Sequence, residues 1–299
     1  MKSYVECIPC SFNHALRTAR VAGASVKQQR EILNQLGGMV KDMPLTSTPP
    51  ELARLVNHLV STVTGKKDVY KKIKMNSNAR ALDMYAALKA RVRRAEDPLL
   101  EAVECAIAGN VIDYGIHNAE WIERELKRIL RDEKKRIATK KGMLFRYKKF
   151  KAQLRKSQTI LYLGDNAGET VFDRLLIETI QSEVRTPHDI VYVVKSAPAI
   201  NDALMADARF CGLDKVATLM ASGSDAPGTV LSLCTREFKD HFKRADMIIS
   251  KGQGNFEALS AVTREVFFLL MVKCPVIAKD IELHSGACSV GDTVLLHHV

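Results

Sequence analysis

The sequence lacks the features of a membrane or secreted protein. Its longest strongly apolar run, residues 266–272, is far shorter than the roughly 20 residues of a membrane-spanning helix. The first ten residues contain no long apolar stretch behind Lys2, so we expect no signal peptide. Seven cysteines, an odd number at irregular spacing, predict reduced thiols rather than a disulfide framework. Together these absences predict a cytoplasmic protein without membrane association.

The sequence also lacks the signature motifs of several common α/β enzymes. It contains neither the Gly-x-x-x-x-Gly-Lys-Ser/Thr of P-loop proteins nor the Gly-x-Ser-x-Gly of α/β-hydrolases. The Gly-x-Gly-x-x-Gly of dinucleotide-binding folds does not follow the first predicted strand. A phosphatase that forms an aspartyl-phosphate would need a second aspartate two residues after Asp165, where Ala167 stands. These absences disfavour all four chemistries.

The pattern of apolar residues changes near residue 157. Before this point, apolar residues recur at three- and four-residue spacing over 26–40, 49–63 and 79–92, which predicts helices. After it, short apolar strands alternate with helical segments, which predicts βαβ units and a parallel sheet. We therefore predict an α/β fold in two domains, with an all-helical N-terminal domain over 1–156 and an α/β domain over 157–299.

Individual elements of the second domain are predicted from its apolar runs. A helix is expected to open at Asn201-Asp202 and to run toward Gly212. The predicted strands are 160–163, 190–194, 216–220, 247–250, 266–272, 276–278 and 293–296.

The net charge of +11 comes from one segment. Residues 124–156 contain fifteen lysines and arginines against three acidic residues, a balance of +12 that leaves the rest of the chain near −1. Their apolar spacing predicts two helices with a solvated basic face, broken near Gly142. The segment is interpreted either as a charged connector between the domains or as a surface that attracts RNA, nucleotides or phosphate.

Four successive predicted strands each end in a polar or glycine-rich loop. In a parallel sheet these loops share one edge, the edge at which open α/β sheets bind ligands. Each polar residue taken alone is also a common turn residue or helix cap. Their coincidence on one edge predicts a site formed by Asp165, Asn166, Asp202, Asp225, Lys251 and Asn255.

The residue types at this edge favour phosphoryl chemistry. Carboxylate and amide oxygens without a histidine suit Mg²⁺ or Mn²⁺ rather than a structural zinc ion. Lys251, followed by glycines whose N–H groups can approach a ligand closely, suits a phosphate. A metal ion would orient a water molecule for in-line attack, and Lys251 would neutralise charge on the transferred group.

Three further positions are candidates with alternative interpretations. Glu169, at the start of the helix after the first strand, either supports the metal ligands, contacts substrate hydroxyls or is favoured there by the helix dipole. Cys7 and Cys10 form a single Cys-x-x-Cys, which is interpreted as a thiol or metal pair or as merely buried thiols. Asn110 and Asp113 follow the predicted end of a helix, where they act either as caps or as site residues.

These motifs resemble those of a known family. Three stretches resemble the metal-dependent damage-control phosphatases, also called domain of unknown function eighty-nine: Gly164-Asp165-Asn166-Ala167-Gly168-Glu169, Asn201-Asp202, and Lys251-Gly252-Gln253-Gly254-Asn255-Phe256-Glu257. The N-terminal Cys-x-x-Cys and the stretch from Gly109-Asn110 to Asp113 resemble its prokaryotic, mainly archaeal branch. The resemblance spans nearly the whole chain.

The resemblance implies a Rossmann-like α/β/α domain with a helical N-terminal domain packed over its site. It implies a divalent metal, Mn²⁺, Co²⁺, Ni²⁺ or Mg²⁺, held by Asp165, Asn166 and Asp202, and it implies that Lys251 contacts phosphate. The implied activity is hydrolysis of small phosphomonoesters, such as sugar phosphates and damaged metabolites. The remaining candidates are then expected to line the substrate cavity: Glu169, Asn110, Asp113, Asp225 and Asn255.

Two other functions stay open. One is an RNA- or nucleotide-binding protein that uses residues 124–156. The other is an S-adenosylmethionine-dependent methyltransferase, an activity described for a eukaryotic branch of the family that has Lys-Gly-Asp-Leu-Asn where this chain has Lys-Gly-Gln-Gly-Asn. Methyl transfer would survive chelation of the metal, whereas phosphatase turnover would not.

Overall fold

In the computed structural model, the residues described before the sheet are mainly helical, as predicted. The structure describes residues 1–109, 124, 144–184 and 188–299. Within the described residues, no helix is both long and apolar enough to cross a bilayer. Asn110, Asp113 and most of the basic segment lie outside the described residues. The helices before the sheet are α1 (Cys7–Val21), α2 (Val26–Val40), α3 (Pro49–Thr64), α4 (Lys71–Arg94), α5 (Pro98–Gly109) and α6 (Tyr147–Leu154).

A six-stranded sheet forms the second half and confirms the predicted Rossmann-like α/β/α class. Its strand order is β3-β2-β1-β4-β5-β6, with β1 to β5 parallel and β6 antiparallel to β5. The elements in chain order are β1 (Thr159–Leu163), α7 (Glu169–Glu183), β2 (Asp189–Val194), α8 (Met205–Phe210), β3 (Thr218–Ala221), α9 (Arg236–Arg244), β4 (Met247–Lys251), α10 (Gly252–Leu259), β5 (Val266–Met271), α11 (Pro275–Ser285) and β6 (Thr293–His298).

Two of the predicted elements are wrong. The predicted strand 276–278 lies inside α11, because Pro275 suits a first helical turn and Ile277 and Ile281 are buried at helical spacing. The helix expected to open at Asn201-Asp202 begins at Met205 instead. Residues 201 and 202 stay in the loop because their backbone is bonded to the loop after β1, as described below. A smaller difference is β3, which begins at residue 218 rather than 216.

Helices cover both faces of the sheet. Alternate residues of each strand point to opposite faces, so Ile160 and Tyr162 join one hydrophobic cluster while Leu161 and Leu163 join the other. Helices α4 to α7 pack in the first cluster, and α9 to α11 pack in the second. Helices α1 to α3 have a separate cluster of their own. The domain boundary at 156 stays a prediction, and the first cluster contains residues from both sides of it.

Candidate functional site

The candidate site lies where the strand order reverses. From β1 the chain proceeds to β2 and β3 on one side, and from β4 to β5 and β6 on the other. In open α/β sheets, ligands bind in the crevice outside the carboxyl ends of the strands at such a switch point. Asp165 follows β1 after one intervening residue, Gly164, and Lys251 is the last residue of β4, so both lie at this crevice.

Backbone hydrogen bonds join the loops after β1 and β2. The N–H of Ala167 donates to the carbonyl of Asn201 at 2.9 Å, and the N–H of Ala203 donates to the carbonyl of Asp165 at 2.8 Å. Asn166 and Asp202 face each other in the resulting antiparallel bridge. The structure therefore brings together Asp165, Asn166 and Asp202, which are separated by up to 37 positions in the sequence.

Two glycines leave room for the groups at the site. Gly252 has φ of 77°, and a Cβ atom placed on it would lie 1.8 Å from Oδ2 of Asp165. A Cβ atom on Gly164 would lie 2.5 Å from the hydroxyl of Tyr192. Because no side chain fits in either place, the close approach of Asp165 to the start of α10 depends on glycine at position 252.

Glu169 connects the predicted metal ligands to Lys251. The amide nitrogen of Asn166 donates to Oδ2 of Asp165 at 3.0 Å and to Oε1 of Glu169 at 2.6 Å. The ammonium of Lys251 donates to Oε2 of Glu169 at 3.3 Å and to Oδ1 of Asp173 at 2.6 Å. Lys251 has no solvent-exposed surface. Its predicted contact with phosphate stays a prediction, and the contacts it makes here are to two carboxylates.

Sequence reasoning missed the group that holds Lys251. Asp173 is fully buried and accepts hydrogen bonds from the hydroxyls of Tyr162 at 2.7 Å and Tyr192 at 2.8 Å. These tyrosines lie side by side on the central strands β1 and β2, with their rings stacked. One signal was available, because Asp173 lies four residues after Glu169 and therefore on the same face of α7.

Lys195 is a second buried lysine that sequence reasoning did not include. It follows β2 directly, is 3% exposed, and its ammonium lies 3.6 Å from Oδ2 of Asp202. The N–H of Gly228 also donates to this oxygen, at 3.4 Å. The available signal was the parallel with Lys251, because each lysine stands at the carboxyl end of a strand.

Burial dominates the electrostatics of the site. It raises the pKa of Asp165 well above its usual value, and the charges of Glu169 and Asp202 raise it further. Burial also raises the pKa of Asp202 to about 6, against the opposing effect of Lys195. For Lys251, burial lowers the pKa, but the neighbouring carboxylates Asp173 and Glu169 outweigh this effect and raise it overall.

The donor set fits a hard divalent cation. Two carboxylates and one carboxamide supply the oxygen ligands that Mg²⁺ and Mn²⁺ prefer, and the nearby Glu169 adds a third negative charge for a cation to offset. The amide nitrogen of Asn166 occupies the position between Asp165 and Glu169, and rotating this amide by 180° would present its oxygen instead. Within the described residues, no three histidine, cysteine, aspartate or glutamate side chains form a ready-made metal cluster.

Asp225 and Asn255, both predicted to line the cavity, connect parts of the structure. Asp225 forms an ion pair with Arg54 and a 2.7 Å contact with His58, both on α3. Burial raises the pKa of Asp225, but Arg54 and His58 outweigh this and hold it below its usual value. Asn255 donates to the carbonyls of Gly164 and Lys251 at 3.1 and 2.8 Å, so its amide nitrogen joins β1 to β4.

The paired cysteines are free thiols. Cys7 is half-buried and its sulfur accepts from the N–H of Tyr4 at 3.4 Å, whereas Cys10 is exposed. Burial raises the pKa of both thiols, and the charges of Glu257 and Cys274 raise it further. Neither is therefore poised as a thiolate nucleophile, and their predicted role as a thiol or metal pair stays a prediction.

One residue of α4 also reaches the site loop. Asn78 is 2% exposed, and its Oδ1 accepts from the N–H of Gly168 at 2.7 Å. Its Nδ2 donates to Oδ1 of Asp207 on α8 at 2.7 Å. Gly168 precedes α7 with φ of 87°, so Asn78 fixes the turn between Asn166 and Glu169. No pattern in the sequence singled it out, because one asparagine in a helix has no periodic signature.

Comparisons with known proteins identify the family. A family model described as the damage-control phosphatase ARMT1-like domain matches residues 3–288. A damage-control phosphatase of Pyrococcus horikoshii is 31% identical over 96% of this chain and 96% of its own length. An uncharacterised protein of Methanocaldococcus jannaschii is 32% identical, covering 97% of this chain and 94% of its own length.

A solved structure supports the same assignment. The crystal structure of a family protein from Pyrococcus horikoshii, described under domain of unknown function 89, aligns over 100% of both chains with a TM-score of 0.88 and 29% identity. A damage-control phosphatase of Archaeoglobus fulgidus is 32% identical over 79% of each chain. This chain belongs to the damage-control phosphatase ARMT1-like domain family.

Proposed function

We propose that the protein is a metal-dependent phosphatase that hydrolyses phosphomonoesters of small metabolites. Membership of a damage-control phosphatase family supports the phosphatase role. When bound, a divalent cation such as Mn²⁺, Co²⁺, Ni²⁺ or Mg²⁺ polarises a phosphate oxygen and lowers the pKa of a water molecule. Asp165, Asn166 and Asp202 are the residues that would hold it.

One structural observation supports this proposal more strongly than any other. Two loops from neighbouring strands are joined through their backbones at the switch point of the sheet, and this junction holds Asp165, Asn166 and Asp202 together. Both lysines beside it are almost completely buried, so the site combines oxygen donors for a cation with fixed positive charge for a phosphoryl group. Such fixed charges stabilise a phosphoryl-transfer transition state without reorganisation.

The neighbouring residues then have distinct roles. Lys195 and Lys251 offset the negative charge of the phosphate, and Glu169 orients Asn166 and Lys251 through the hydrogen bonds described above. Asp225 and Asn255 shape the cavity wall by holding α3 and β1 in place. Substrate-binding roles for Asn110 and Asp113 stay predictions from the sequence.

Hydrolysis of p-nitrophenyl phosphate tests the proposal directly. Protein stripped with EDTA should be inactive and should regain turnover when Mn²⁺, Co²⁺, Ni²⁺ or Mg²⁺ is added. Asp165→Ala should lose at least 100-fold of that turnover, because removing one of two carboxylates from a small metal site sharply lowers its affinity for the metal. The matched control is Asp189→Ala, which removes an exposed aspartate at the opposite end of β2.

Two outcomes would contradict the proposal. One is absence of turnover by folded wild-type protein with all four metals. The other is equal activity of Asp165→Ala and Asp189→Ala. In either case the two alternative functions should be assayed directly. RNA binding should be compared between the wild type and variants with reversed charge at Lys134, Lys135 and Lys148. Methyl transfer from S-adenosylmethionine should be measured in the presence of EDTA.

A further inference from the structure

Lys251 is buried beneath α7 although it stands at the end of a strand. Met247 and Ile249 of β4 belong to the hydrophobic cluster in which α7 packs, and because side chains alternate along a strand, Lys251 points to the same face. Its side chain has no solvent-exposed surface. A lysine ordinarily keeps its ammonium group in water, so specific contacts must hold this one in place.

Asp173 is the main partner of the Lys251 ammonium. Their 2.6 Å contact has the length of a strong charge-assisted hydrogen bond, whereas the 3.3 Å contact of Lys251 with Glu169 is longer than the usual range. The third N–H of the ammonium meets no acceptor among the residues that the structure describes. Lys251 is therefore anchored on one carboxylate and retains hydrogen-bonding capacity for a ligand.

Two tyrosines fix Asp173 in turn. The hydroxyl of Tyr162 donates to Oδ1 of Asp173 at 2.7 Å, and the hydroxyl of Tyr192 donates to Oδ2 at 2.8 Å. The two tyrosines are register partners on the parallel strands β1 and β2, and their ring centroids lie 5.3 Å apart. Because each carboxylate oxygen is held by a group of the central sheet, the sheet defines where the ammonium of Lys251 lies.

The tyrosines also favour the charged form of Asp173. Burial raises the pKa of this carboxyl group, whereas the charge of Lys251 and the hydrogen bond from Tyr162 oppose the rise. A charged Asp173 is the form that pairs with an ammonium group. The hydroxyls thus support the ion pair as well as its geometry.

Stability alone does not account for this arrangement. Removing an ammonium group and a carboxylate from water is costly, and well-packed apolar side chains often serve a core equally well. This ion pair lies next to the candidate site, because Glu169 contacts both Lys251 and the predicted metal ligand Asn166. A fixed positive charge stabilises a transition state only from a defined position, which the carboxylate and the two tyrosines provide.

We propose that Asp173, held by Tyr162 and Tyr192, is a positioning residue that fixes the ammonium of Lys251 for contact with the phosphoryl group. This inference rests on the proposed phosphatase function. The longer hydrogen bond to Glu169 is the one that a phosphate oxygen replaces, while the bond to Asp173 stays. Asp173 itself touches neither metal nor substrate, so it acts only through Lys251.

A double-mutant cycle tests this coupling. Asp173→Asn keeps the shape of the side chain and should lower kcat for p-nitrophenyl phosphate about tenfold or more, with little change in KM. Lys251→Met should cost at least as much. Adding Asp173→Asn to Lys251→Met should lower kcat by no more than about twofold further, because residues that act through one group are not additive. A merely structural role of Asp173 would multiply the two losses.

The matched control is Asp246→Asn, which makes the same chemical change at the opposite end of β4. Oδ2 of Asp246 accepts hydrogen bonds from the N–H groups of Gln158 and Thr159 at 2.9 and 2.8 Å. This variant should keep kcat within about twofold of wild type. Multiplied losses in the cycle of Asp173 with Lys251, or equal kcat in Asp173→Asn and Asp246→Asn, would overturn the inference.

Two milder variants serve if Asp173→Asn does not fold. Tyr162→Phe and Tyr192→Phe each remove one hydrogen bond to Asp173 and should lower kcat about two- to tenfold. The same changes should have little effect on kcat when Lys251→Met is already present. Wild-type kcat in both single variants would contradict the inference.

An NMR measurement separates failure of this inference from failure of the proposed function. If the wild type hydrolyses p-nitrophenyl phosphate with none of the metals, the phosphatase proposal fails. The ammonium of Lys251 can still be observed in protein labelled with ¹⁵N at the lysine side chains, and its signal is the one lost in Lys251→Met. A shift of this signal in Asp173→Asn but not in Asp246→Asn supports Asp173 as the group that fixes Lys251, and an unchanged signal overturns it.

Discussion

At the residue scale, the position of Asp165 depends on the glycine that lies opposite it, Gly252. Gly252 and Gly291 both have positive φ, 77° and 91°, so alanine is strained at either position. Only at Gly252 would the added Cβ meet Asp165; nothing lies within 4 Å of a Cβ at Gly291. Alanine substitutions at the two glycines therefore distinguish the effect of backbone strain from the effect of displacing a predicted metal ligand.

Gly252→Ala should lower metal-dependent turnover of p-nitrophenyl phosphate at least tenfold, because Asp165 must move away from the new methyl group. Gly291→Ala should keep near-normal turnover, although both variants should lose about 1 kcal/mol of unfolding free energy through strain. Initial rates and urea denaturation measure the two effects. Equal turnover in the two variants would show that the contact between residues 165 and 252 does not matter for activity.

Glu257 should make stability depend on pH. Burial raises its pKa to about 7 from an ordinary value of 4.5, against the opposing effects of Gln253 on the same helix and the Met1 amino group. The other ionisable groups facing it are the thiols of Cys7 and Cys10, and Asp280 faces the amino group.

Because the folded pKa of Glu257 is above the unfolded one, the folded state binds the extra proton between about pH 4.5 and 7. The unfolding free energy should therefore fall as pH rises through this window, by at most about 1.4 kcal/mol per pH unit, and level off above 7. Glu257→Gln should make this slope shallower, leaving the part that the raised pKa values of Asp165 and Asp202 contribute. Glu282→Gln, at an exposed position on α11, should keep the full wild-type slope. Urea titrations at pH 5, 6, 7 and 8 make the comparison; parallel curves for wild type and Glu257→Gln would refute the assignment.

The placement of residues at the sheet edge was predictable from the sequence where they follow strand ends. Asp165, Asn166, Asp202 and Lys251 were all expected at one edge because a short apolar strand or a glycine-rich loop marks their position, and their roles stay predictions. Asp173 is inside a helix, where a carboxylate is normally solvent-exposed. Its burial follows from tyrosines on two adjacent strands, and the order of those strands cannot be read from the sequence.

At the element scale, α4 supports both loops of the site through a single side chain. Asn78 accepts from Gly168 before α7 and donates to Asp207 of α8, and the other oxygen of Asp207 accepts from the N–H of Leu204 at 2.9 Å. The first turns of two helices that follow neighbouring strands are thereby tied to a third helix on the same face of the sheet. Removing this carboxamide leaves a buried N–H and a carboxylate oxygen without partners.

Asn78→Ala should cost about 1–3 kcal/mol of unfolding free energy, which exceeds the small gain from the better helix propensity of alanine. It should also lower kcat for p-nitrophenyl phosphate, because the turn between Asn166 and Glu169 loses its support. Asn76→Ala, exposed on the same helix, should stay within about 0.5 kcal/mol of wild type. Similar denaturation midpoints for the two variants would contradict this account.

Element boundaries differed from prediction for identifiable reasons. The run 276–278 is too short to distinguish a strand from part of a helix by periodicity, and Pro275 was the better guide because it suits a first helical turn. The helix expected at Asn201-Asp202 starts later because the backbone there bonds to the loop after β1. That bonding is a tertiary interaction, which overrides the local preference of an aspartate to cap a helix.

At the scale of the whole molecule, the hydrophobic clusters divide the helices unequally. Helices α4 to α6 share a cluster with the sheet, whereas α1 to α3 pack mainly on one another. The polar contacts of Asp225 with Arg54 and His58 add to the packing of α3 against α10 in tying the smaller unit to the rest. A sequence pattern shows that these segments are amphipathic helices, but it does not show which surface each one covers.

Hydrogen exchange should reveal this division. Amides of α1 to α3 should exchange through openings of lower free energy than amides of α5 and the central strands, because fewer buried contacts hold the smaller unit. Exchange measured by mass spectrometry at increasing, sub-denaturing urea concentrations tests this, with β4 as the internal reference. Uniform protection across both units would mean that the molecule opens only as a whole.

The outer edge of the sheet is closed by a distant part of the chain. The N–H of Arg146 donates to the carbonyl of Leu295 at 2.8 Å, and the N–H of Leu295 donates to the carbonyl of Leu144 at 2.9 Å, so the short segment before α6 runs beside β6. Unpaired strand edges are templates for aggregation. During synthesis, β5 and this segment are both made before residues 293–298, so the nascent chain carries two open backbone edges until β6 emerges from the ribosome.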